Sequence, residues 1–500
     1  MIIGPDQARG GRIDCDVVVV GSGAGGAAAA WQLSRAGHSV ICLEAGGHYN
    51  ERHFSQDYGV ASRQLYEDDG QRVMMGNLYV PLPGGRCLGG STVVNSGICF
   101  RIPPTRFDQW QETNELGFEH GDLLPHTHTT EQMIGVAPSR TEVWGGNNQF
   151  AMDGLTKLGW SGGPMPRNAP HCMGCGACNT GCPSGAKLST AKTFIPKSEQ
   201  FGAAYYTFAR ADGFLRRGNR IEGVTCSLMD PATEQPAGRM EVRAKAVVLS
   251  CGAVRTPEIL QRNGLGNAHV GQHLHVHAAT GVIGITDRDI EGWKGIPQGF
   301  YSDEFHADDK MLIESFWATP EVYWLSFPFG FEGTAKMMDY KRMAAVGGTI
   351  ADTSEGTIKA SSKPGKVKIS WSLNEEDKGR LVRLQQRVCE LMLAAGAVEL
   401  HTGIYGVPPI TSMDDVRTWL VPDRIRIKQM MAVYASHPQG TCRMAGSPEV
   451  GAVDCDGRLY GTEGLYVMDA SIFPDVLGVN PQVTIMSLSL MLSEKLARSL

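Results

Sequence analysis

The sequence predicts an α/β fold, α+β over its full length, with a parallel-sheet unit at the front and a second, sheet-based region behind it. Three observations predict this. Residues 16–20 (Asp-Val-Val-Val-Val) read as a short buried strand. A glycine-rich turn over 21–26, a small-residue helix over 27–36 closed by Gly37, and a strand over 38–44 follow it. That is a β-turn-α-β unit of the length a right-handed parallel crossover needs. Second, residues 203–250 are β-rich and end in Ala246-Val-Val-Leu-Ser250. Third, a mixed region over about 270–420 contains one clear helix at 375–395, with Leu381, Leu384, Val388, Leu391 and Met392 at helical spacing. The last 65 residues return to short strands and turns. They close in an amphipathic helix on Ile485, Leu488, Leu492 and Leu496.

Composition excludes several classes. At roughly 150 residues per domain, 500 residues suggest two or three domains. Hydrophobic residues at 42% and charged residues at 20% exclude a disordered chain, a coiled coil and a collagen-like repeat. Glycine is high, 62 residues, as befits many tight turns and close backbone–ligand approaches. A net charge of −6 carries no electrostatic footprint for nucleic acid. No apolar run reaches the roughly 20 residues that span a bilayer. The run over 17–30 is interrupted by five glycine and serine residues, and no A-x-A-like cleavage site follows it. A soluble, cytoplasmic protein is the expectation.

Gly21-Ser-Gly23-Ala-Gly-Gly26 is a G-x-G-x-x-G run in the context its chemistry requires. A strand precedes it, a helix follows it, and Glu44 ends the next strand 23 positions after Gly21 (44 − 21). Gly21 allows the tight turn, Gly23 lets the backbone reach a pyrophosphate, and Gly26 lets helix and strand pack closely. The helix N-terminus offers free N–H groups to an anion. Glu44 can accept bonds from ribose hydroxyls and would repel a 2′-phosphate, which disfavours NADP. Gly21, Ser22, Gly23, Ala24, Gly26, Glu44 and Ala45 are therefore candidate dinucleotide contacts. The motif leaves FAD and NAD both open.

Toward the C-terminus stand His437-Pro-Gln-Gly-Thr-Cys-Arg-Met444, Gly457-Arg-Leu-Tyr-Gly461, Leu465-Tyr-Val-Met-Asp-Ala-Ser471 and Gly478-Val-Asn-Pro-Gln-Val-Thr484. With Gly89-Gly-Ser-Thr-Val-Val-Asn-Ser-Gly97, the run 246–257 and Val270-Gly-Gln-His-Leu-His-Val-His277, the chain resembles the glucose–methanol–choline (GMC) family of FAD-dependent oxidoreductases. The motifs run from end to end, with 280–430 the least matched part. The resemblance implies a Rossmann-like FAD-binding domain with a substrate domain inserted. Its parts would be 1–165 (FAD-binding, first part), 166–200 (Cys-rich lobe), 201–280 (FAD-binding, second part), 281–430 (substrate-binding) and 431–500 (FAD-binding, with the catalytic residues).

The resemblance further implies FAD and oxidation of an alcohol CH–OH group. His437 matches the active-site histidine and Asn480 the second catalytic position. Gly89, Gly90, Ser91, Thr92, Asn95, Gly97, Gly252, Asp469, Ala470, Asn480 and Pro481 would contact FAD, Asp469 beside its ribityl–pyrophosphate stretch. Val94 stands where some members carry a flavin-linking histidine, so the FAD is expected to be non-covalent. The chemistry agrees, since a histidine with an ordinary pKa of about 6.5 suits taking an alcohol proton. Asn480 can donate its amide N–H to the substrate oxygen. Asn480-Pro481 also reads as an N-cap followed by a first-turn proline, aiming a helix N-terminus at the flavin. Two rivals are a cyanohydrin-type lyase on the same fold and a flavin/iron–sulfur electron-transfer protein.

Thirteen cysteines make no complete disulfide framework. Four of them, Cys172-x-x-Cys175-x-x-Cys178-x-x-x-Cys182-Pro183, have the spacing of a ferredoxin cluster run. They are candidate ligands for one iron–sulfur cluster, with four plain thiols as the alternative. A cluster implies a protein or quinone acceptor, and its absence makes oxygen the first acceptor to test. His273, His275 and His277 alternate and would share one face of a strand. His126 and His128 read as solvated in a polar loop. Phe316, Trp317, Tyr323, Trp324, Phe327, Phe329 and Phe331 suggest an apolar pocket for a long-chain, terpenoid, sterol or aromatic alcohol.

Overall fold

The computed structural model describes residues 1–500 except Arg9, Ala318, Thr319, Leu325, Pro328 and Phe329, so the expectation for Phe329 lies outside the described residues. The first sheet has eight strands. Its order is Ile2–Ile3, Ala204–Tyr206, Val40–Leu43, Gly11–Val20, Pro236–Leu249, Arg220–Met229 and Ala209–Arg217, with Leu465–Val467 also paired to Pro236–Leu249. The pairs around Gly11–Val20 are parallel, and the hairpin Ala209–Met229 extends the sheet antiparallel. Val17, Val18, Val19 and Val20 are buried, as strands covered on both faces must be.

The expected helix over 27–36 runs Ala24–Arg35. Its alanines and glycines let it lie close to the sheet and to the terminal helix Gln482–Ser499. Gly26 shows how close, because a Cβ there would lie 1.9 Å from Gly21 O.

The second sheet has seven antiparallel strands. Its order is Ala397–His401, Ala279–Thr286, Met343–Ile350, Met311–Ser315, Phe300–Ser302 and Gly163–Pro164, with Val433–Tyr434 paired to Ala279–Thr286. Helix Glu375–Ala395 covers one face of it, as its periodicity requires. Asn374 caps it by accepting Asp377 N–H, and left-handed Gly396 ends it. Met311 and Ile313 point into the core beneath this helix. The pleat therefore turns Glu314 and Phe316 toward the opposite side, where a long cavity separates the two sheets.

Several local expectations are corrected. His126 and His128 lie on the helix His120–Ile134, which tolerates Pro125 within it, and not in a loop. His273 and His277 have φ of +58° and +52°, so 273–277 is no strand and presents no shared face. Among the described residues no helix is long and apolar enough to cross a membrane.

Candidate active site

The cavity has a volume of about 840 Å³ and begins at the glycine turn. Gly21 takes φ +95° as the chain leaves the buried strand. Helix Ala24–Arg35 starts at Gly23 with no side-chain cap and no acidic residue in its first turn. Its leading N–H groups are thus free for an anion. A Cβ on Gly23 would be 4.0 Å from Gly90 Cα, its nearest neighbour outside the adjoining chain, so the space in front of the backbone is open.

Glu44 is buried and already receives Ser22 N–H (3.1 Å), Ser22 O–H (2.6 Å) and Gly46 N–H (2.8 Å). Burial raises its pKa, and these bonds partly offset that. With about four lone-pair sites on a carboxylate, capacity remains for ribose hydroxyls. Asp469 is held likewise by Gly252 N–H (2.8 Å), Thr256 O–H (2.6 Å) and Ser471 N–H (2.8 Å), with burial raising its pKa.

Ser22, Gly23, Ala24, Ala45, Gly90, Ser91, Thr92, Asn95 and Gly97 line the same cavity, as do Gly21, Glu44, Gly252, Asp469, Ala470, Asn480 and Pro481. Gly26 and Gly89 do not line it. Gly26 packs on Gly21, and Gly89 donates its N–H to Ser22 Oγ at 3.0 Å. Both shape the cradle from behind. An uncapped helix N-terminus, two ribose-competent carboxylates and an open Gly23 fit FAD.

At the far end His437 and Asn480 face the cavity from different segments. His437 follows strand Val433–Tyr434, and its Nδ1 lies 3.1 Å from His277 Nδ1. His277 Nε2 receives Gly478 N–H at 2.8 Å and faces the Gln439 amide nitrogen at 3.2 Å. Gln439 is oriented by accepting Leu477 N–H at 2.8 Å on Oε1. Asp352 accepts the N–H groups of Val276 and His277, which holds His277 in its left-handed conformation. Burial pushes His437 down to about 4 and His277 well below the usual range.

Asn480 was expected to cap the terminal helix. The helix begins one residue later, at Gln482 with Pro481 in the cap position, and Asn480 makes no cap bond. Asn480 Oδ1 has no hydrogen-bond partner among the described residues. The Asn480 amide instead hydrogen-bonds the Glu314 carboxyl on the cavity wall, and Oδ1 is left to the cavity.

The chamber wall over this pair comes from the second sheet and its flanks: Gln298, Glu314, Phe316, Thr349, Tyr434 and Ser436. Among the described residues of the aromatic segment, Phe316 alone reaches it. Trp317 and Tyr323 cluster with Trp293 and Tyr340, Phe327 packs edge-on against His401, and Phe331 is exposed. Trp324 also lies off the wall. Aromatic density along the chain therefore served a separate core, and the chamber is mixed in polarity. Sequence reasoning missed Glu314, Gln298 and Gln439, and gave His277 only a structural place. One signal was available for Glu314, an acid inside the apolar run Met-Leu-Ile-Glu.

The cysteine run forms a lobe against the loop 91–97. Cys178 is buried and accepts an N–H of Arg167 at 3.2 Å. Cys182 accepts Lys187 N–H at 3.4 Å, Cys172 faces Gly174 N–H at 3.5 Å, and Cys175 is exposed. All four are free thiols. Among the described residues no three His, Cys, Asp or Glu side chains are arranged to hold a metal ion. The iron–sulfur expectation is therefore not supported, because these thiols are turned to separate protein partners. What the lobe does is clamp the loop. Buried Lys187 donates to the carbonyls of Val93, Asn95 and Cys178, Asn179 to Val94 O, and Arg167 to Ser96 O.

An anion cradle at one end of a cavity and a histidine–amide pair at the other are the parts that a dinucleotide-dependent redox enzyme would need. The family follows from sequence comparison. GMC oxidoreductase family models match residues 62–279 and 352–489, and a Rossmann-like NAD(P)-binding model matches 19–60. An uncharacterized GMC-type oxidoreductase of Mycobacterium tuberculosis is 36% identical over 484 residues, covering 96% of this chain and 75% of that one. The long-chain-alcohol oxidase FAO3 of Arabidopsis thaliana is 26% identical, covering 98% and 68%. The crystal structure of pyridoxine 4-oxidase from Mesorbium loti superposes with a TM-score of 0.72 at 19% identity, covering 96% and 99%, which speaks for the fold. The chain belongs to the GMC oxidoreductase family and is a flavin-dependent, alcohol-oxidising enzyme.

Proposed function

We propose that the protein binds FAD non-covalently in the cradle and oxidises a primary or secondary alcohol of mixed polarity to its carbonyl compound. The observation that carries this reading is the convergence of His437 and Asn480 on one cavity with the glycine cradle, with Asn480 Oδ1 unpartnered. When bound, FAD supplies the hydride acceptor. His437 and Asn480 hold the alcohol oxygen, which fixes the carbinol carbon for transfer. Helix Gln482–Ser499 turns its N-terminus to the cavity through Pro481 and Gln482, favouring negative charge there. Phe316 and Tyr434 offer an apolar flank, while Gln298, Thr349 and Ser436 offer hydrogen bonds. This reading departs from the long-chain, terpenoid, sterol or aromatic alcohol that the aromatic segment suggested.

Anaerobic bleaching of the flavin across a panel of aliphatic, aromatic and hydroxylated alcohols tests the reading. Bleaching supports it, and a flavin left oxidised by every alcohol refutes it and revives the lyase. Flavin released on denaturation supports non-covalent binding, and flavin retained refutes it. Oxygen uptake compared with dye or quinone reduction decides the electron acceptor.

A further inference from the structure

Behind the His437–Asn480 pair three stretches of chain meet: the turn 273–277, the segment 437–439 and the loop 475–480. His275 stands at their junction and does not line the cavity. Its N–H donates to Gln439 O at 3.1 Å, and its carbonyl accepts Gln439 N–H at 3.0 Å. The side chain is buried among three carboxylates. Nε2 lies 3.2 Å from Asp475 Oδ1 and 3.8 Å from Glu355 Oε1, and Nδ1 lies 3.7 Å from Asp352 Oδ2.

Asp352 and Asp475 hold the two sides of one seat. Asp352 is fully buried and fixes the turn by accepting the N–H groups of Val276 and His277. Asp475 opens the loop that gives Leu477 N–H to Gln439 Oε1 and Gly478 N–H to His277 Nε2, and that ends on Asn480. His277 in turn meets His437 Nδ1 at 3.1 Å. A group that ties Asp352 to Asp475 therefore sets His437 through His277, and Asn480 through the loop.

The surrounding charges decide which form of His275 can do this. Arg106 Nη1 is 3.7 Å from Asp475 Oδ2, and Arg443 is within electrostatic reach of Glu355 and Asp475. His273 pairs with Glu355 at 3.2 Å, and His277 is neutral near pH 7, held well below the usual range by burial. Among the described residues His275 is the only basic side chain within 4.0 Å of the Asp352 carboxylate. A neutral ring would leave that buried carboxylate without an adjacent counter-charge, which is costly. An imidazolium carries an N–H on each nitrogen and faces both aspartates at once. Burial alone would strip its proton, but Asp352, Asp475 and Glu355 outweigh burial and raise His275 above the ordinary histidine range.

We propose that His275, as an imidazolium bridging Asp352 and Asp475, is a positioning residue that holds His437 and Asn480 in register for alcohol oxidation. This rests on the alcohol-oxidation reading. When the ring loses its proton, attraction across the bridge gives way to repulsion between the two carboxylates, and the loop that carries Gly478 and Asn480 relaxes from the turn. Because the folded pKa lies above the ordinary 6.5, the bridge is complete below that value and is lost as pH rises through the folded one. Flavin reduction then carries an alkaline limb set by a residue outside the cavity.

The test uses the FAD-loaded protein with His275→Gln and with Asp475→Asn, the second at a half-exposed side chain. Histidine Cε1 NMR should show a wild-type resonance that is missing from His275→Gln, titrates above the ordinary 6.5, and titrates lower in Asp475→Asn. In anaerobic stopped flow each variant should reduce its flavin slower by a factor of roughly 10–10², as for a reacting pair about 1 Å out of place. Each should also lose the alkaline limb, with FAD affinity unchanged. The double variant should be no slower than the slower single one, since both break one bridge. If His275→Gln does not fold, the resonance that moves in Asp475→Asn identifies His275, and that variant carries the rate comparison. A His275 that titrates at or below the ordinary 6.5 overturns the proposal, as does an alkaline limb that survives either variant. A wild-type flavin that no alcohol bleaches overturns the functional reading instead, while the NMR titration still reads the bridge.

Discussion

Gly23 and Gly26 sit three residues apart in one motif, and the structure gives them separate tasks that two alanine variants can part. At Gly26 a Cβ would lie 1.9 Å from Gly21 O and 3.1 Å from Ser250 Cβ, where real Cβ atoms essentially never approach closer than 3.0 Å. Helix Ala24–Arg35 would have to back away from its strand by about 1 Å, and overpacking of this kind costs about 1–3 kcal/mol. At Gly23 the nearest neighbour of an added Cβ, Gly90 Cα, is 4.0 Å away, and φ −67° suits any residue. Gly23→Ala should therefore leave the FAD-free protein's melting temperature within about a degree or two of wild type. Its methyl would stand where a pyrophosphate must come. A comparable 1–3 kcal/mol lost from binding weakens FAD by roughly 5- to 150-fold. Melting of flavin-stripped protein and a flavin-fluorescence titration read the two effects separately. A Gly23→Ala protein that binds FAD like wild type refutes the cradle, and a Gly26→Ala protein that melts unchanged refutes the close packing.

Other outcomes follow from the same geometry. Asn480→Asp sets a second acid beside Glu314 in place of a donor, so flavin reduction should fall by about 10²-fold or more, with FAD affinity within a few-fold. Rapid-mixing reduction and flavin titration check it. Lys187→Met strips three buried carbonyls of their shared donor, which should cost about 3–5 kcal/mol in denaturant unfolding. Glu314 makes stability depend on pH, because its folded pKa of about 7 exceeds the ordinary 4.5. Between those values the folded state keeps a proton the unfolded chain has released, so stability falls as pH rises through this window. The fall approaches about 3 kcal/mol, from 2.5 units at 1.36 kcal/mol each. Unfolding of the flavin-free wild type at about pH 5 and about pH 8 should show a drop that Glu314→Gln lacks.

Local periodicity and turn chemistry were legible in the chain. The helix Glu375–Ala395 has its expected bounds because its apolar spacing, its Asn374 cap and Gly396 agree. The cradle was legible for the same reason, since strand, glycine turn, helix and acid follow one another within about 30 residues. The motifs around His437 and Asn480 carried the family, and with it the flavin.

The rest depended on partners far away in sequence. Asn480-Pro481 is locally a fair cap, and only the tertiary structure shows that its side chain meets Glu314 and the cavity instead, with Oδ1 unpartnered. Ferredoxin-like spacing places four thiols near one another, but Arg167, Lys187 and the surrounding backbone decide where each one points. The aromatic segment is apolar by composition, yet Trp317 and Tyr323 pack with Trp293 and Tyr340, and Phe327 packs on His401, away from the chamber that Phe316 lines. Glu314 is the sharpest case. A strand shows its alternation in sequence, but not which face meets a helix and which meets a cavity, because register and the opposite layer decide that. With Met311 and Ile313 taken into the core beneath Glu375–Ala395, the pleat turned the buried acid toward Asn480.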